Sequence, residues 1–263
     1  MFVAVIPACN EAKAIDTVLQ SLLSCDLQKI ILVANGCTDL TEEISQHSMS
    51  KDRLEILSFH EPLGLDIPRA VGAAYAQKYH PQGIVFLDGD MTGKITSTIR
   101  HLLKGIKKGL DLALTNCYPT YTQRSDLAAT VLKYRQEVNK RLGLFSKIGH
   151  ATPSHGPHAL SAKLLSEIPL KALAVPPLVL AYAAQHGFRV GVSANISHEL
   201  LGSKLRSDEH AQNIANTIIG DCLQALSYLD NSTSILSSAD SCNSAYRKAR
   251  RFDLLEHYLV HNT

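Results

Sequence analysis

Four short and nearly unbroken apolar runs, each followed by a stretch with helical periodicity, constrain this chain more than any other feature of its sequence. Residues 2–6, 29–34, 54–59 and 83–87 carry apolar side chains at odd and even positions alike, so strands formed there must be covered on both faces. Sheets covered in that way are built from parallel strands joined by helical crossovers. The intervening segments agree. Ile15, Val18, Leu19, Leu22 and Leu23 fall on one helical stripe, and a helix from about Thr41 has Glu42 and Glu43 in its first turn, where the dipole favours acids. Small residues over 70–76 predict a helix that packs closely on the sheet, and Ile95, Ile99, Leu102, Leu103 and Ile106 form a fourth stripe. Further strands are expected over 111–115, 156–160 and 188–192, with helices over 126–142, 178–185 and 208–229. Residues 231–244 are rich in Ser, Asn and Asp, the composition of a loop or linker, and 245–260 reads as one helix with a basic start and an apolar stripe.

With 263 residues, 45% of them hydrophobic and 19% charged, the chain can bury a core without disulfide or metal staples. Lys and Arg total 26 against 24 Asp and Glu, and a formal net charge of +2 offers no global field for nucleic acid. Any anionic ligand must therefore be held locally. The cysteines at 9, 25, 37, 117, 222 and 242 form no CxxC pair and have no His or Cys neighbours at structural-zinc spacing, which suits reduced thiols. The first apolar run breaks at Pro7, unlike the core of a leader peptide, and no apolar stretch is long enough to span a bilayer. The expected location is cytoplasmic.

In an open parallel sheet ligands bind beyond the carboxyl ends of the strands. Those ends are polar here: Pro7-Ala8-Cys9-Asn10-Glu11 after the first run, Asn35-Gly36-Cys37-Thr38-Asp39 after the second and Asp88-Gly89-Asp90 after the fourth. Two carboxylates flanking a glycine let the backbone bend and aim hard oxygen ligands into a crevice. A divalent cation such as Mg²⁺ or Mn²⁺ bound there would take its remaining ligands from water and substrate phosphates.

These segments resemble the GT-A glycosyltransferases, and among them the family 2 type that includes dolichyl-phosphate sugar synthases. Residues 5–11 are similar to the family's opening strand and Pro-x-x-Asn-Glu loop, and residues 32–39 to its Val-Asp-Asp-Gly-Ser-Thr-Asp stretch. Gly64, Arg69 and Gly72 match the Gly-x4-Arg-x2-Gly spacing, and residues 86–90 look like the Asp-x-Asp strand. Farther on, residues 154–161 resemble the acceptor-side segment, while residues 187–190, His198 and Gly202-Ser203 resemble the Gly-Tyr-Arg strand and a downstream metal-ligating His.

The resemblance implies a Rossmann-like three-layer α/β/α GT-A fold with a mostly parallel central sheet. It also implies a GT-A domain over 1–230, with a nucleotide-sugar-binding half over 1–115 and an acceptor-side half over 116–230, followed by a linker and C-terminal helical tail over 231–263. The implied activity is metal-dependent transfer of a sugar from a nucleoside-diphosphate-sugar donor to a small-molecule, lipid-phosphate or glycan acceptor. Carried over, Pro7, Ala8, Asn10, Glu11, Asn35, Gly64, Arg69, Asp88 and Gly89 hold the donor, with Asn35 facing the base. Asp90 and His198 ligate Mn²⁺ or Mg²⁺, and Asp90 serves catalysis by neutralising the leaving diphosphate.

Two departures stand out. Asn35 replaces the family's second Asp after strand two, and Val175-Pro176 falls where many inverting members keep a Glu-Asp pair as general base. Three routes stay open: an acceptor that arrives already ionised, retention assisted by the leaving phosphate, or another base, His155 and His158 being nearest in sequence. The alternative from another class is a non-catalytic nucleotide-sugar-binding protein that has lost its base. The basic run 247–251 ahead of Phe252, Leu254, Leu255, Tyr258 and Leu259 suits either peripheral contact with an anionic membrane or docking, on the chain's own domain or on a second copy in a homo-oligomer.

Overall fold

The computed structural model describes residues 1–119, 125–203, 207–231 and 244–262. In chain order the elements are β1 (Phe2–Ala8), α1 (Ile15–Leu22), β2 (Lys29–Asn35), α2 (Thr41–Ser48), β3 (Leu54–Phe59), α3 (Ile67–Ala76), β4 (Gly83–Phe86) and α4 (Thr96–Lys107). There follow β5 (Leu112–Asn116), α5 (Asp126–Arg141), α6 (Phe145–Ile148), β6 (His158–Ser161), α7 (Ala162–Glu167), α8 (Pro176–Gln185), β7 (Val190–Asn195), α9 (Asp208–Asn231), α10 (Ala245–Lys248) and α11 (Phe252–Asn262). Most of the loop or linker expected over 231–244, together with Cys242, lies outside the described residues.

The strands form one sheet in the order β3-β2-β1-β4-β6-β5-β7, in which β6 runs antiparallel to both neighbours and every other pairing is parallel. Each central strand feeds both layers. Val3, Val5, Ile31, Val33, Ile84 and Phe86 face a core shared with α3, α8 and α9, while Ala4, Ile6, Ile30, Leu32 and Val85 face α1 and α4. This two-sided burial is why the runs lack alternation, and each buried Val, Leu or Ile contributes about 1.5–3 kcal/mol relative to exposure. Burial alone does not fix the layering when both faces are apolar. Small residues do so locally: a Cβ at Gly72 would stand 2.4 Å from Val5 Cγ1, so α3 rests directly on β1.

Several bounds differ from expectation for identifiable reasons. The helix expected from 178 begins at Pro176, because a proline at the first helical position gives up no intrahelical bond. The strand expected from 156 begins at His158, since Pro157 has no N–H for the ladder. The tail helix expected over 245–260 is two helices. Between them the backbone turns onto the loop before α3, where Arg251 N–H donates to the Leu63 carbonyl at 2.9 Å. Gly64 makes this approach possible: its φ is +85°, and a Cβ would stand 2.4 Å from the Ala249 carbonyl oxygen.

The apolar stripe of α11 is spent inside the protein. Leu255 is fully buried, and Phe252, Leu254, Tyr258 and Leu259 pack on the same core, with Tyr258 edge-on to Phe59 at 5.9 Å. Arg247, Arg250 and Arg251 are ion-paired with Asp221, Asp66, Glu61 and Asp253. Of the two readings of this pattern, the structure shows docking on the chain's own domain. Among the described residues no helix is long and apolar enough to cross a membrane.

At the β3 edge, Glu55 accepts from Tyr75 Oη and Tyr79 Oη and pairs with Lys29 and Lys78 at 3.3 and 3.1 Å. Burial pushes its carboxyl up, but these donors outweigh burial and hold it at about 2. A depressed folded-state value means stability that is present above the ordinary value of 4.5 and lost as pH falls through about 2. Glu55→Gln is therefore expected to lower the urea midpoint at neutral pH, with the gap to the parent closing steadily below about pH 4.5. A gap that stays constant across that window contradicts the assignment.

Candidate active site

Because β2 and β3 lie to one side of β1 and β4 to the other, the sheet reverses its winding between β1 and β4, and a crevice opens beyond their carboxyl ends. A pocket of about 320 Å³ occupies it. Pro7, Ala8, Glu11, Asn35, Gly64, Arg69, Asp88, Gly89, Asp90, His155 and His198 all line this pocket. The remaining expected site residue, Asn10, does not. Its side chain turns sideways, where Oδ1 accepts from Thr38 N–H at 2.8 Å and ties the β1 loop to the β2 loop. Asp39 adds a second tie by accepting from Ala12 N–H at 3.1 Å, and Thr41 Oγ1 a third by accepting from Glu11 N–H at 2.7 Å.

Asn35 borders the pocket but commits its amide to the loop before α3. Its Oδ1 accepts from Leu63 N–H at 2.7 Å, and its Nδ2 donates to the Gly64 carbonyl at 3.2 Å. Each end of the amide keeps capacity for one more partner. The acidic triplet is held by β1, where Gly89 N–H donates to the Pro7 carbonyl at 3.0 Å.

Asp88 Oδ1 accepts from Arg69 Nη2 at 2.5 Å, and Arg69 Nε donates to Asp66 Oδ1 at 2.9 Å. Arg69 thus belongs to the site and not to the outer surface of α3. Burial pushes the Asp88 carboxyl up; Arg69 opposes this, and the nearby charges of Asp90 and Asp66 add to it. Arg69 is held firmly in its charged form, because Asp88 and Asp66 outweigh the cost of its burial.

Asp90 Oδ1 accepts from Ser203 Oγ at 3.0 Å. Two further bonds clamp the segment carrying His198 to the loop after Asp90: Gly93 N–H donates to the Leu201 carbonyl at 2.9 Å, and Thr92 Oγ1 to the Gly202 carbonyl at 3.0 Å. His198 Nδ1 lies 3.1 Å from His155 Nε2, and Tyr118 stacks on His155 at 5.4 Å. Such a bond needs one nitrogen with a proton and one without, so the pair holds at most one imidazolium. The Nε2 of His155 is therefore engaged by His198. His158, the other candidate base, lies outside the pocket, stacked on Phe86 at 5.1 Å. Burial, helped by Arg69, pushes its imidazole down to about 3, so it is neutral and out of reach. Where the resemblance places a Glu-Asp base, Pro176 lines the pocket and Val175 is buried.

Among the described residues no group of three or more His, Cys, Asp or Glu is arranged to hold a metal ion. Asp90 and His198, the carboxylate and imidazole expected to ligate a metal, line the same pocket. That donor set fits a cation that draws most of its shell from a ligand and water.

Asp66 and Asp221 also line the pocket, and both were missed in the sequence. Asp66 had a signal, since it stands three residues before Arg69 at the start of a helix. Asp221 had none, being one acid inside a long helix.

The glycosyl transferase family 2 model matches residues 3–166, more than half of the chain, and the chain belongs to that family. It is a glycosyltransferase with a GT-A fold. No curated protein matches it by sequence. Among solved structures it is similar to glucosyl-3-phosphoglycerate synthase from Mycobacterium tuberculosis. The form with Mn²⁺, UDP-glucose and glycerol 3-phosphate has a TM-score of 0.62 at 17% identity, covering 93% of this chain and 86% of that one. The form with Mn²⁺, UDP and glucosyl-3-phosphoglycerate has a TM-score of 0.61 at 17% identity, covering 86% and 79%. A further mycobacterial protein has a TM-score of 0.61 at 16% identity, covering 86% and 74%. At these identities the likeness is one of fold.

Removal of the Arg69 guanidinium strands Asp88 and takes one of its two arginines from Asp66, which keeps Arg250. Arg69→Ala is expected to cost about 3 kcal/mol in a denaturant titration, the low end for stranding a buried charge, because the Asp88 side chain retains 37% exposure. A loss below about 1 kcal/mol, the range of an exposed pair, contradicts the described geometry.

Proposed function

We propose that this chain transfers a sugar from a nucleoside-diphosphate-sugar donor to a small acceptor with the help of Mn²⁺ or Mg²⁺. The observation that carries this reading is the meeting of Asp88, Asp90, Arg69 and His198 in one pocket at the carboxyl ends of β1 and β4. In this reading Pro7, Ala8, Glu11, Asn35 and Gly64 receive the nucleoside, and Asp88, Gly89 and Arg69 meet the ribose and phosphates. Asn10 acts by holding the loop. Asp90 and His198 would hold the cation, which supplies positive charge against the negative charge that develops on the departing diphosphate. Ser203 orients the Asp90 carboxylate by donating to it, and His155 fixes which nitrogen of His198 carries the proton.

With Pro176 in place of a carboxylate base, the proton of the acceptor hydroxyl needs another destination. A small phosphorylated acceptor, of the kind bound in the mycobacterial synthase structures, carries its own anionic oxygens, and the departing phosphate offers another. Both suit a pocket with no carboxylate at 175–176.

Thermal shift with UDP, GDP, CDP and dTDP, with and without Mn²⁺, tests the donor site, because a ligand that binds the native state raises its apparent stability. One diphosphate should raise the melting temperature more with Mn²⁺ than without, and Asp90→Ala should erase the Mn²⁺-dependent part. Release of nucleoside diphosphate from the matching sugar donor on addition of a phosphorylated acceptor tests transfer. Donor binding without turnover over a broad acceptor panel would instead favour the non-catalytic alternative.

A further inference from the structure

Arg250 belongs to none of the motifs that carry the family resemblance, yet its side chain is only 2% exposed and borders the pocket through its partners. Its Nη1 and Nη2 each donate at 2.7 Å to Asp221 on α9, Nε donates to the Leu65 carbonyl at 3.0 Å, and Nη2 also donates to Asp66 Oδ2 at 2.9 Å. The second oxygen of Asp66 takes Arg69 Nε, and Arg69 takes Asp88. Charges of alternating sign therefore run from α9 through the C-terminal segment to the acid two residues before Asp90.

The loop between Leu63 and Asp66 depends on this contact in two further ways. Asp66 has φ of +65°, a conformation that a residue with a Cβ keeps only where its surroundings fix it. Gly64 has the Ala249 carbonyl against it on one side and the Asn35 amide on the other, so the loop is gripped between β2 and the tail. Asp66, partly buried, and Asp221, fully buried, both line the pocket, and without a cation between them they would repel.

We propose that Arg250 is a positioning residue for the donor site: it fixes the loop Leu63 to Asp66 and, through Asp66, sets Arg69 against Asp88. The identity of the ligand in this proposal rests on the donor reading above; the positioning of the loop does not.

Two measurements on the full chain separate these points. The first is amide hydrogen exchange of the unliganded protein and of Arg250→Ala, Arg250→Lys and Arg247→Ala. Arg247 binds Asp221 and Gln224 on α9, so its loss weakens the anchoring of the tail while leaving the Arg250 bonds to Leu65 and Asp66 in place. Arg250→Ala should speed exchange over 63–69 by about tenfold with β1 unchanged, whereas Arg247→Ala should stay within about twofold. Arg250→Lys should fall between, because an ammonium cannot reproduce the bidentate bond to Asp221 together with the bond to Asp66. It also decides the matter if Arg250→Ala does not fold.

The second measurement is affinity for the nucleoside diphosphate with Mn²⁺. This should fall about tenfold in Arg250→Ala and not in Arg247→Ala, even where their melting temperatures match, about 1.4 kcal/mol by the usual conversion. Unchanged exchange over 63–69 in both Arg250 variants overturns the proposal, as does an equal increase in Arg247→Ala. A loosened loop with undiminished affinity overturns the link to the donor site. Failure of the donor reading would show as no diphosphate binding to the unaltered chain, and the exchange comparison would still decide whether Arg250 positions the loop.

Discussion

The interleaving of acids with arginines behind the strand ends is the interaction on which the rest of the site depends. Asp66, Asp88, Asp90 and Asp221 crowd one pocket, and carboxylates brought so close repel one another. Arg69 between Asp66 and Asp88, and Arg250 between Asp66 and Asp221, break that repulsion pair by pair. Asp90 is bonded instead to the neutral hydroxyl of Ser203. Among the described residues no guanidinium pairs with Asp90, unlike Asp66, Asp88 and Asp221, which in the proposed reading leaves its lone pairs for a cation.

The sheet puts these groups in one place. Reversal of the winding between β1 and β4 opens a crevice where neighbouring βα loops diverge, and the polar loops after β1, β2 and β4 fill its rim. β6 inserts antiparallel between β4 and β5, which brings the residues before it, including His155, to the same rim. The clamp between the loop after Asp90 and residues 201–203 then holds the segment carrying His198 at the same pocket, although the two stretches lie far apart in the chain. Docking of α11 on α3 gives the C-terminal segment a firm base from which Arg250 reaches the loop.

The fold was legible because two-sided burial leaves a strong trace in a sequence. Runs such as 29–34 admit few other readings, and the polar residues that stop them mark the rim of the crevice. Asp88, Asp90, Arg69 and His198 were legible through order and spacing along the chain. What stayed hidden depends on contacts between distant segments. Asn10 was expected in the pocket, but its side chain bonds Thr38 across the neighbouring loop. His155 read as a candidate base, and its pairing with His198 appears only once β6 and the segment after β7 are brought together. The continuous periodicity of 245–260 gave no sign of its break, because the cause is the loop at Leu63 and not the tail's own residues.

By itself the sequence determined the layered α/β architecture, the strand ends at which chemistry gathers and the acids that stand there. These follow from local rules: an apolar run with no polar face must be covered twice, and a turn rich in Asp, Asn and Gly must end it. Only the tertiary structure decided which acids are paired with arginine, which histidines bond each other, and that an arginine near the C-terminus reaches the partners that line the pocket. Those outcomes turn on distances of about 3 Å between residues far apart in the chain, and Coulomb and hydrogen-bond energies depend on such distances while sequence periodicity does not.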